Sequence, residues 1–157
     1  MARHTATIDW SGKPGEDFAI GHYSRAHDLI FDGGLTVPGS ASPSIVRAPW
    51  SVEPAADPEE MLIAALSSCH MLTFLDKARH AGFVVASYRD EAEGVMGKVG
   101  EGRYAVTKVT LRPHIVFEGR QPTPQELDAL HHASHDDCFI ANSVKAEVVI
   151  AAPVSAS

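Results

Sequence analysis

Two cysteines are the residues of this chain best suited to chemistry, and they lie in segments of different character. Cys69 lies in an apolar run with helical spacing, and Cys138 follows a stretch rich in His and Asp. One disulfide would be a small framework for 157 residues. Three interpretations are therefore open: two inert buried thiols, part of a metal site, or a pair that cycles between thiol and disulfide.

The redox interpretation needs both thiols and no cofactor. A thiolate attacks the O–O bond of a peroxide and becomes a sulfenic acid, and a second thiol then condenses with it to a disulfide. The first thiol must ionise near neutral pH, although a free cysteine has a pKa of about 8.5. A nearby cation is the simplest means of lowering that pKa.

The metal interpretation depends on the histidines before Cys138. His131 and His135 are four residues apart, so they share one face of a helix, and Cys138 follows three residues later. These three ligands fit zinc only if a carboxylate or a water completes the site. The pattern favours, as an alternative function, a non-catalytic module that binds a metal or a small molecule through this cluster.

Composition excludes several classes of function. The chain has 20 acidic and 13 basic residues, a net charge of −7, and no Lys/Arg cluster, so nucleic acid is not an expected partner. No apolar run is long enough for a membrane span, and the N-terminus has no signal-peptide pattern. A hydrophobic content of 45% predicts one globular domain over residues 1–157. We expect a cytoplasmic protein, in which a cysteine pair is more often catalytic or metal-binding than structural.

Two helices should carry the cysteine-bearing segments. Asp57, Pro58 and Glu60 form a capping-box pattern that predicts a long, buried helix over residues 57–81, with Gly82 as its stop. Thr123 and Glu126 repeat that pattern and predict a second helix, in which Leu127, Leu130 and His131 share a stripe.

Strands should surround these helices. Alternation of apolar and polar residues predicts a half-buried strand at 5–10, one or two strands within 18–32, a strand at 83–93, a long strand at 104–117 and a last strand at 145–151. The strands at 83–93 and 104–117 should pair as a hairpin around a glycine-rich turn at 94–102. Prolines make residues 37–56 a long loop.

Four segments of the chain closely resemble the OsmC/Ohr family of thiol-dependent peroxidases. They are residues 57–69 (DPEEMLIAALSSC), 81–83 (AGF), 105–111 (AVTKVTL) and 138–147 (CFIANSVKAE). Two positions depart from the family pattern: His70, where an apolar aromatic is common, and Phe139, where many members have proline. His70 could lower the pKa of the adjacent thiol or form a hydrogen bond inside the core.

The resemblance implies an α+β fold in which antiparallel sheets wrap around long central helices in an intertwined homodimer. It implies that Cys69 attacks an organic hydroperoxide and that Cys138 resolves the sulfenic acid as a Cys69–Cys138 disulfide. Glu59 matches the glutamate that holds a catalytic arginine, for which Arg25 is the preferred candidate and Arg47 the alternative. A dithiol of the dihydrolipoamide type is the implied reductant.

Two further expectations concern the wall of the site and its use. Apolar candidates for the peroxide-binding wall are Met61, Leu62, Phe74 and Phe139. A redox sensor, whose disulfide alters the shape of the dimer, would share the same chemistry and differ in slow re-reduction.

Overall fold

The computed structural model describes residues 2–151, which form an α+β fold with two helices and eight strands. The helices are α1 (Pro58–His80) and α2 (Pro124–Asp137). The strands are β1 (Ala6–Asp9), β2 (His27–Phe31), β3 (Thr36–Gly39), β4 (Val84–Asp90), β5 (Glu93–Gly100), β6 (Arg103–Leu111), β7 (Pro113–Glu118) and β8 (Glu147–Ile150). No helix within the described residues has the length and hydrophobicity needed to cross a membrane. The predicted α+β class is confirmed.

The described residues divide into two compact units, residues 2–61 and 62–151. The expectation of a single domain over residues 1–157 stays a prediction. Each unit has its own sheet structure.

The first unit contains an antiparallel sheet of order β1-β2-β3. β1 confirms the first predicted strand, but all four of its side chains are exposed, so the half-buried expectation is wrong for the chain alone. The predicted loop at 37–56 begins within strand β3, which includes Pro38. Proline is tolerated there because β3 is the last strand of its sheet, with β2 on one side and a single bridge from Gly39 to Ala56 on the other.

Helix α1 begins where the sequence predicts. The Asp57 carboxylate accepts from the Glu60 N–H at 2.8 Å, and the Glu60 carboxylate accepts from the Asp57 N–H at 3.1 Å. These reciprocal bonds satisfy two backbone donors that a helix start leaves free. The chain leaves the helix at Gly82, whose φ of +80° is accessible to glycine without strain. The buried side chains of α1 recur every four residues: Leu66, His70, Phe74 and Ala78.

In the second unit, the predicted turn at 94–102 is wrong, because most of it is strand β5. A Cβ on Gly94 would come within 2.5 Å of the Ile63 side chain, and a Cβ on Gly97 within 2.7 Å of the Thr107 hydroxyl. These glycines therefore allow close side-chain packing on a strand rather than marking a turn. β5 lies between the two segments in sequence and pairs with β6, so residues 83–93 and 104–117 do not form the predicted two-stranded hairpin.

The predicted long strand at 104–117 is two strands in different sheets. β6 lies between β5 and β8, and it pairs with β8 in parallel, whereas β7 pairs with β4 in an antiparallel two-stranded sheet. The break falls at Arg112, whose N–H donates to the Asp90 carboxylate at 2.6 Å, followed by Pro113, which has no N–H to donate.

Two apolar clusters form the core of the second unit. One contains Phe74, Ala78, Phe83 and Leu130, and the other contains Leu66, Val109 and Leu111. α2 begins at the predicted Thr123–Glu126 capping box, and Leu130 and His131 of its predicted stripe are buried. The α1 and α2 segments that carry the cysteines are therefore both anchored in this core.

Candidate active site

The two thiols lie together in the second unit. Cys69 is half-buried near the middle of α1, and Cys138 is 1% exposed at the C-terminal cap of α2. Both are free cysteines, and they are near enough for the Cys69 thiol to affect the ionisation of Cys138. The Cys138 N–H donates to the His135 carbonyl at 3.2 Å, and the Cys138 sulfur accepts from the Ala141 N–H at 3.4 Å. These two bonds fix Cys138 at the end of α2, in the same unit as Cys69.

The environment distinguishes the two sulfurs. Burial, followed by the influence of the neighbouring Cys69 thiol, raises the pKa of the Cys138 thiol. Cys138 is therefore a protonated thiol at neutral pH. Cys69 is the more accessible of the two sulfurs, so a molecule arriving from solvent meets it first.

His70 forms a hydrogen bond inside the core. Its Nε2 lies 3.1 Å from Nδ1 of His131, and the two rings are 11° from parallel. Burial, followed by the imidazoles of His131 and His135, lowers the pKa of His70 from 6.5 to about 4. Burial also lowers the pKa of His131. A neutral His70 supplies no positive charge at pH 7, so of its two expected roles the geometry favours the hydrogen bond in the core.

These histidines should make the fold sensitive to mild acid. Because the folded state lowers the pKa of His70, the unfolded chain binds more protons between pH 6.5 and about 4. The contribution of neutral His70 to the free energy of unfolding is therefore complete above pH 6.5 and is lost as the pH falls toward about 4. We expect the free energy of unfolding to fall by about 2 kcal/mol from this group between about pH 7.5 and about pH 5.

Urea unfolding at these two pH values checks this expectation. His70→Gln should reduce the loss, whereas His132→Gln, which removes an exposed imidazole from the same helix as His131, should leave it unchanged. Glu16 and Glu126 have pKa values lowered below 4.5, so their contribution is lost at more acidic pH. An equal pH dependence in wild type and His70→Gln would contradict the prediction.

The predicted Arg25 and Glu59 lie in the first unit. The Arg25 guanidinium donates to the Gly21 carbonyl at 2.8 Å and lies 3.7 Å from the centre of the Tyr23 ring. Within residues 2–61 neither Arg25 nor Glu59 forms an ion pair, and Arg47 is exposed. Arg25 is thus the more firmly held of the two candidate arginines, and the pairing of an arginine with Glu59 stays a prediction.

The predicted metal cluster does not form. Over residues 2–151, no group of three His, Cys, Asp or Glu side chains is arranged to hold a metal ion. His131 and His135 instead line an apolar cavity of about 650 Å³ between α2 and β8, which Cys138 does not line. His131 and His135 lie within α2, as their spacing predicts, but Cys138 lies at the C-terminal cap of the helix.

The apolar residues predicted to line the peroxide-binding site differ in how deeply they are buried. Phe74 is 0% exposed and belongs to the core, and Leu62 packs against the cluster around Leu66. Phe139 is 81% exposed and lines a cleft of about 500 Å³ together with Leu72. Of these candidates in the second unit, Phe139 therefore has the exposure that a substrate contact needs.

Sequence reasoning missed a set of buried polar groups near the thiol-bearing helices. Nδ1 of His70, Nδ1 of His135 and the Tyr88 hydroxyl are buried without a hydrogen-bond partner in the described residues. Burial raises the pKa of Tyr88. His70 and His131 are 61 positions apart, and no local pattern connects residues at that separation.

The sequence profile of the OsmC-like proteins matches residues 52–152 of this chain. The chain belongs to the OsmC-like family. This match includes α1, α2 and both cysteines, and it confirms the family suggested by the motifs. No curated protein matches the chain.

Solved structures of the OsmC-like family agree with this membership. An OsmC-like protein of unknown function from Vibrio cholerae is 51% identical, with a TM-score of 0.93, and the match covers 96% of this chain and 99% of the other. An organic hydroperoxide resistance protein from Elizabethkingia anophelis is 16% identical, covers 96% of each chain and has a TM-score of 0.68.

A further Vibrio cholerae structure is a putative organic hydroperoxide resistance protein with captopril in one active site. It is 19% identical, with a TM-score of 0.67, over 96% of this chain and 92% of the other. At such identities these last two structures show the shared fold alone.

Proposed function

We propose that this protein is a thiol-dependent peroxidase that reduces organic hydroperoxides to alcohols. The observation that carries the proposal is the proximity of two free thiols of unequal burial, Cys69 in α1 and Cys138 at the end of α2, in one unit. Membership of the OsmC-like family and the shared fold of hydroperoxide resistance proteins support it.

In the first step the Cys69 thiolate attacks the terminal oxygen of the hydroperoxide. An S–O bond forms, the O–O bond breaks, and the alkoxide leaves as an alcohol after taking a proton. Cys69 is then a sulfenic acid. The accessible position of Cys69 suits this role better than the position of the buried Cys138.

In the second step the Cys138 sulfur attacks the Cys69 sulfur. An S–S bond forms, the S–O bond breaks, and the hydroxyl leaves as water with the proton of the Cys138 thiol. A dithiol reductant, of which dihydrolipoamide is the expected type, then restores both thiols by exchange. The fast second step protects Cys69 from irreversible oxidation.

Glu59 and an arginine, with Arg25 preferred over Arg47, are proposed to favour the thiolate and polarise the peroxide. An Arg–carboxylate pair supplies fixed donors for the developing negative charge. Arg25 is already oriented by the Gly21 carbonyl and the Tyr23 ring, which reduces the entropy cost of that role.

A homodimer is the proposed functional form, in the cytoplasm. Among residues 2–61, Leu29 is the only buried hydrophobic side chain, whereas Ile8, Phe18 and Ile20 are at least 60% exposed. So small a core is too little to stabilise a unit of this size, and a second copy of the chain would cover the exposed side chains.

One experiment tests this function. Reduced protein receives one equivalent of cumene hydroperoxide, and free thiols and intact mass are measured before and after. We expect both thiols to disappear, with a mass decrease of about 2 Da per chain as two hydrogens are lost. Native mass spectrometry of the same sample reports the dimer. Unchanged thiols in folded protein would overturn the proposal and favour a small-molecule-binding module, for which the cavity beside His131 is the candidate site.

A further inference from the structure

The hydrogen bond between His70 and His131 is the buried polar connection between the two helices that carry the cysteines. Within residues 62–151, two side-chain hydrogen bonds join α1 to α2: this one and the exposed Lys77–Asp137 ion pair. His70 is 1% exposed and His131 is 9% exposed. The ring of Phe74 lies 4.7 Å from that of His131, so the bond lies in apolar surroundings.

The requirements of stability do not explain this pair. Among residues 2–151, Nδ1 of His70 is buried without a hydrogen-bond partner, and so is Nδ1 of the neighbouring His135. A buried polar group that lacks a partner costs about 1–3 kcal/mol, and apolar residues of similar shape would avoid that cost. The directional geometry of the His70–His131 hydrogen bond, rather than a gain in stability, is therefore the property that explains the pair.

The position of the pair identifies that purpose. His70 directly follows Cys69 in α1, and His131 lies seven residues, about two helical turns, before Cys138 in α2. The last turn of α2 closes on Cys138 through the bond to the His135 carbonyl. A directional bond between His70 and His131 thus sets the rotation and the axial position of one cysteine-bearing helix relative to the other.

We propose that the His70–His131 hydrogen bond positions Cys69 and Cys138 for disulfide formation. A disulfide needs Cα atoms within about 7 Å and a dihedral angle near 90°, and small misplacements of reacting atoms slow a reaction strongly. His70 and His131 are positioning residues that take no part in electron or proton transfer. The inference deepens the proposed function, because it concerns the step in which Cys138 displaces hydroxyl from the Cys69 sulfenic acid.

The unpartnered atom of His70 indicates the direction of the hydrogen bond. Buried N–H groups without a partner are rarer than buried acceptors without one, so we assign Nδ1 of His70 as the unprotonated nitrogen. Nε2 of His70 then donates to Nδ1 of His131. The amide of glutamine reaches the position of Nε2, and the amide of asparagine reaches the position of Nδ1. His70→Gln and His131→Asn therefore preserve the bond, whereas His70→Asn, His70→Leu and His131→Leu remove it.

The test measures the thiol–disulfide equilibrium of the Cys69–Cys138 pair against glutathione, which requires no peroxide. We expect His70→Leu, His70→Asn and His131→Leu to disfavour the disulfide at least about tenfold, equal to about 30 mV. His70→Gln and His131→Asn should remain within about threefold of wild type, as should the exposed control His132→Gln. Circular dichroism establishes which variants are folded.

A single-turnover reaction with cumene hydroperoxide separates the two steps. Peroxide loss, which reports attack by Cys69, should change less than about threefold in every folded variant. Disulfide closure, followed by intact mass with dimedone as a trap for sulfenic acid, should slow about 10- to 100-fold without the bond and recover in His70→Gln. The recovery distinguishes positioning from mere filling of space.

The possible outcomes lead to different conclusions. Equal glutathione equilibria in wild type, His70→Asn and His131→Leu would overturn the positioning role. His70→Gln as impaired as His70→Asn would also overturn it, and that comparison holds even if His70→Leu fails to fold. The variants could rank as expected in the glutathione equilibrium while wild-type protein does not react with peroxide. That result would overturn the peroxidase function and leave the positioning role intact.

Discussion

Replacing Cys69 by serine is expected to lower the rate of organic hydroperoxide reduction by at least about a thousandfold, because a neutral hydroxyl replaces the thiolate nucleophile. The change removes one half-buried sulfur from α1 and leaves the core residues of that helix in place. Far-ultraviolet circular dichroism should therefore match that of the wild type. Peroxide consumption in the presence of a dithiol reductant measures the loss.

Cys138→Ser is the matched control for this prediction. It should retain the first turnover, because Cys69 still attacks, but the sulfenic acid then persists and reacts with dimedone. With excess peroxide, Cys69 should oxidise further to sulfinic acid, a mass gain of about 32 Da. Wild-type turnover by folded Cys69→Ser would contradict the peroxidase mechanism and leave Cys69 as an ordinary buried thiol.

Replacing Phe74 by alanine is expected to have the largest effect on stability. Phe74 is 0% exposed, and it lies between Ala78, Phe83 and Leu130 in the core with Tyr88 and Ile115 against the same cluster. Removing the ring leaves a cavity, and the free energy of unfolding should fall by about 3–5 kcal/mol. Thermal unfolding should occur about 10 °C lower.

Arg79→Ala is the control in the same helix. Its side chain is 67% exposed and its partner Asp76 is also at the surface, so the free energy of unfolding should change by less than about 0.5 kcal/mol. Urea unfolding of both variants at pH 7.5 gives the comparison. A loss smaller than about 1 kcal/mol in Phe74→Ala would show that the Phe74 cluster is not the core of this unit.

The two helices were predictable because their signals are local. Asp57 with Glu60, and Thr123 with Glu126, are three residues apart, and each pair forms the reciprocal hydrogen bonds expected of a capping box. Gly82 is two residues beyond the end of α1, in the left-handed conformation that suits glycine. Such interactions involve one turn of chain, so the surrounding fold changes them little.

Strand partners were less predictable, because pairing is decided across the fold. Strand β5 contains three glycines, a composition that is typical of a turn and that predicted one here. Two of these glycines instead make room for the side chains of Ile63 and Thr107. The break at Arg112 depends on Asp90, which lies 22 positions away. The parallel pairing of β8 with β6 requires α2 to intervene between them.

The identities of the candidate nucleophile and of its family were readable from residue types and motif spacing, since the chain has two cysteines and Cys69 lies within the 57–69 motif. What required the tertiary structure was the proximity of Cys69 to Cys138, their unequal burial, and the bond between His70 and His131. Local sequence specifies helices through interactions of a few residues, whereas burial and contacts between distant residues depend on how the helices pack.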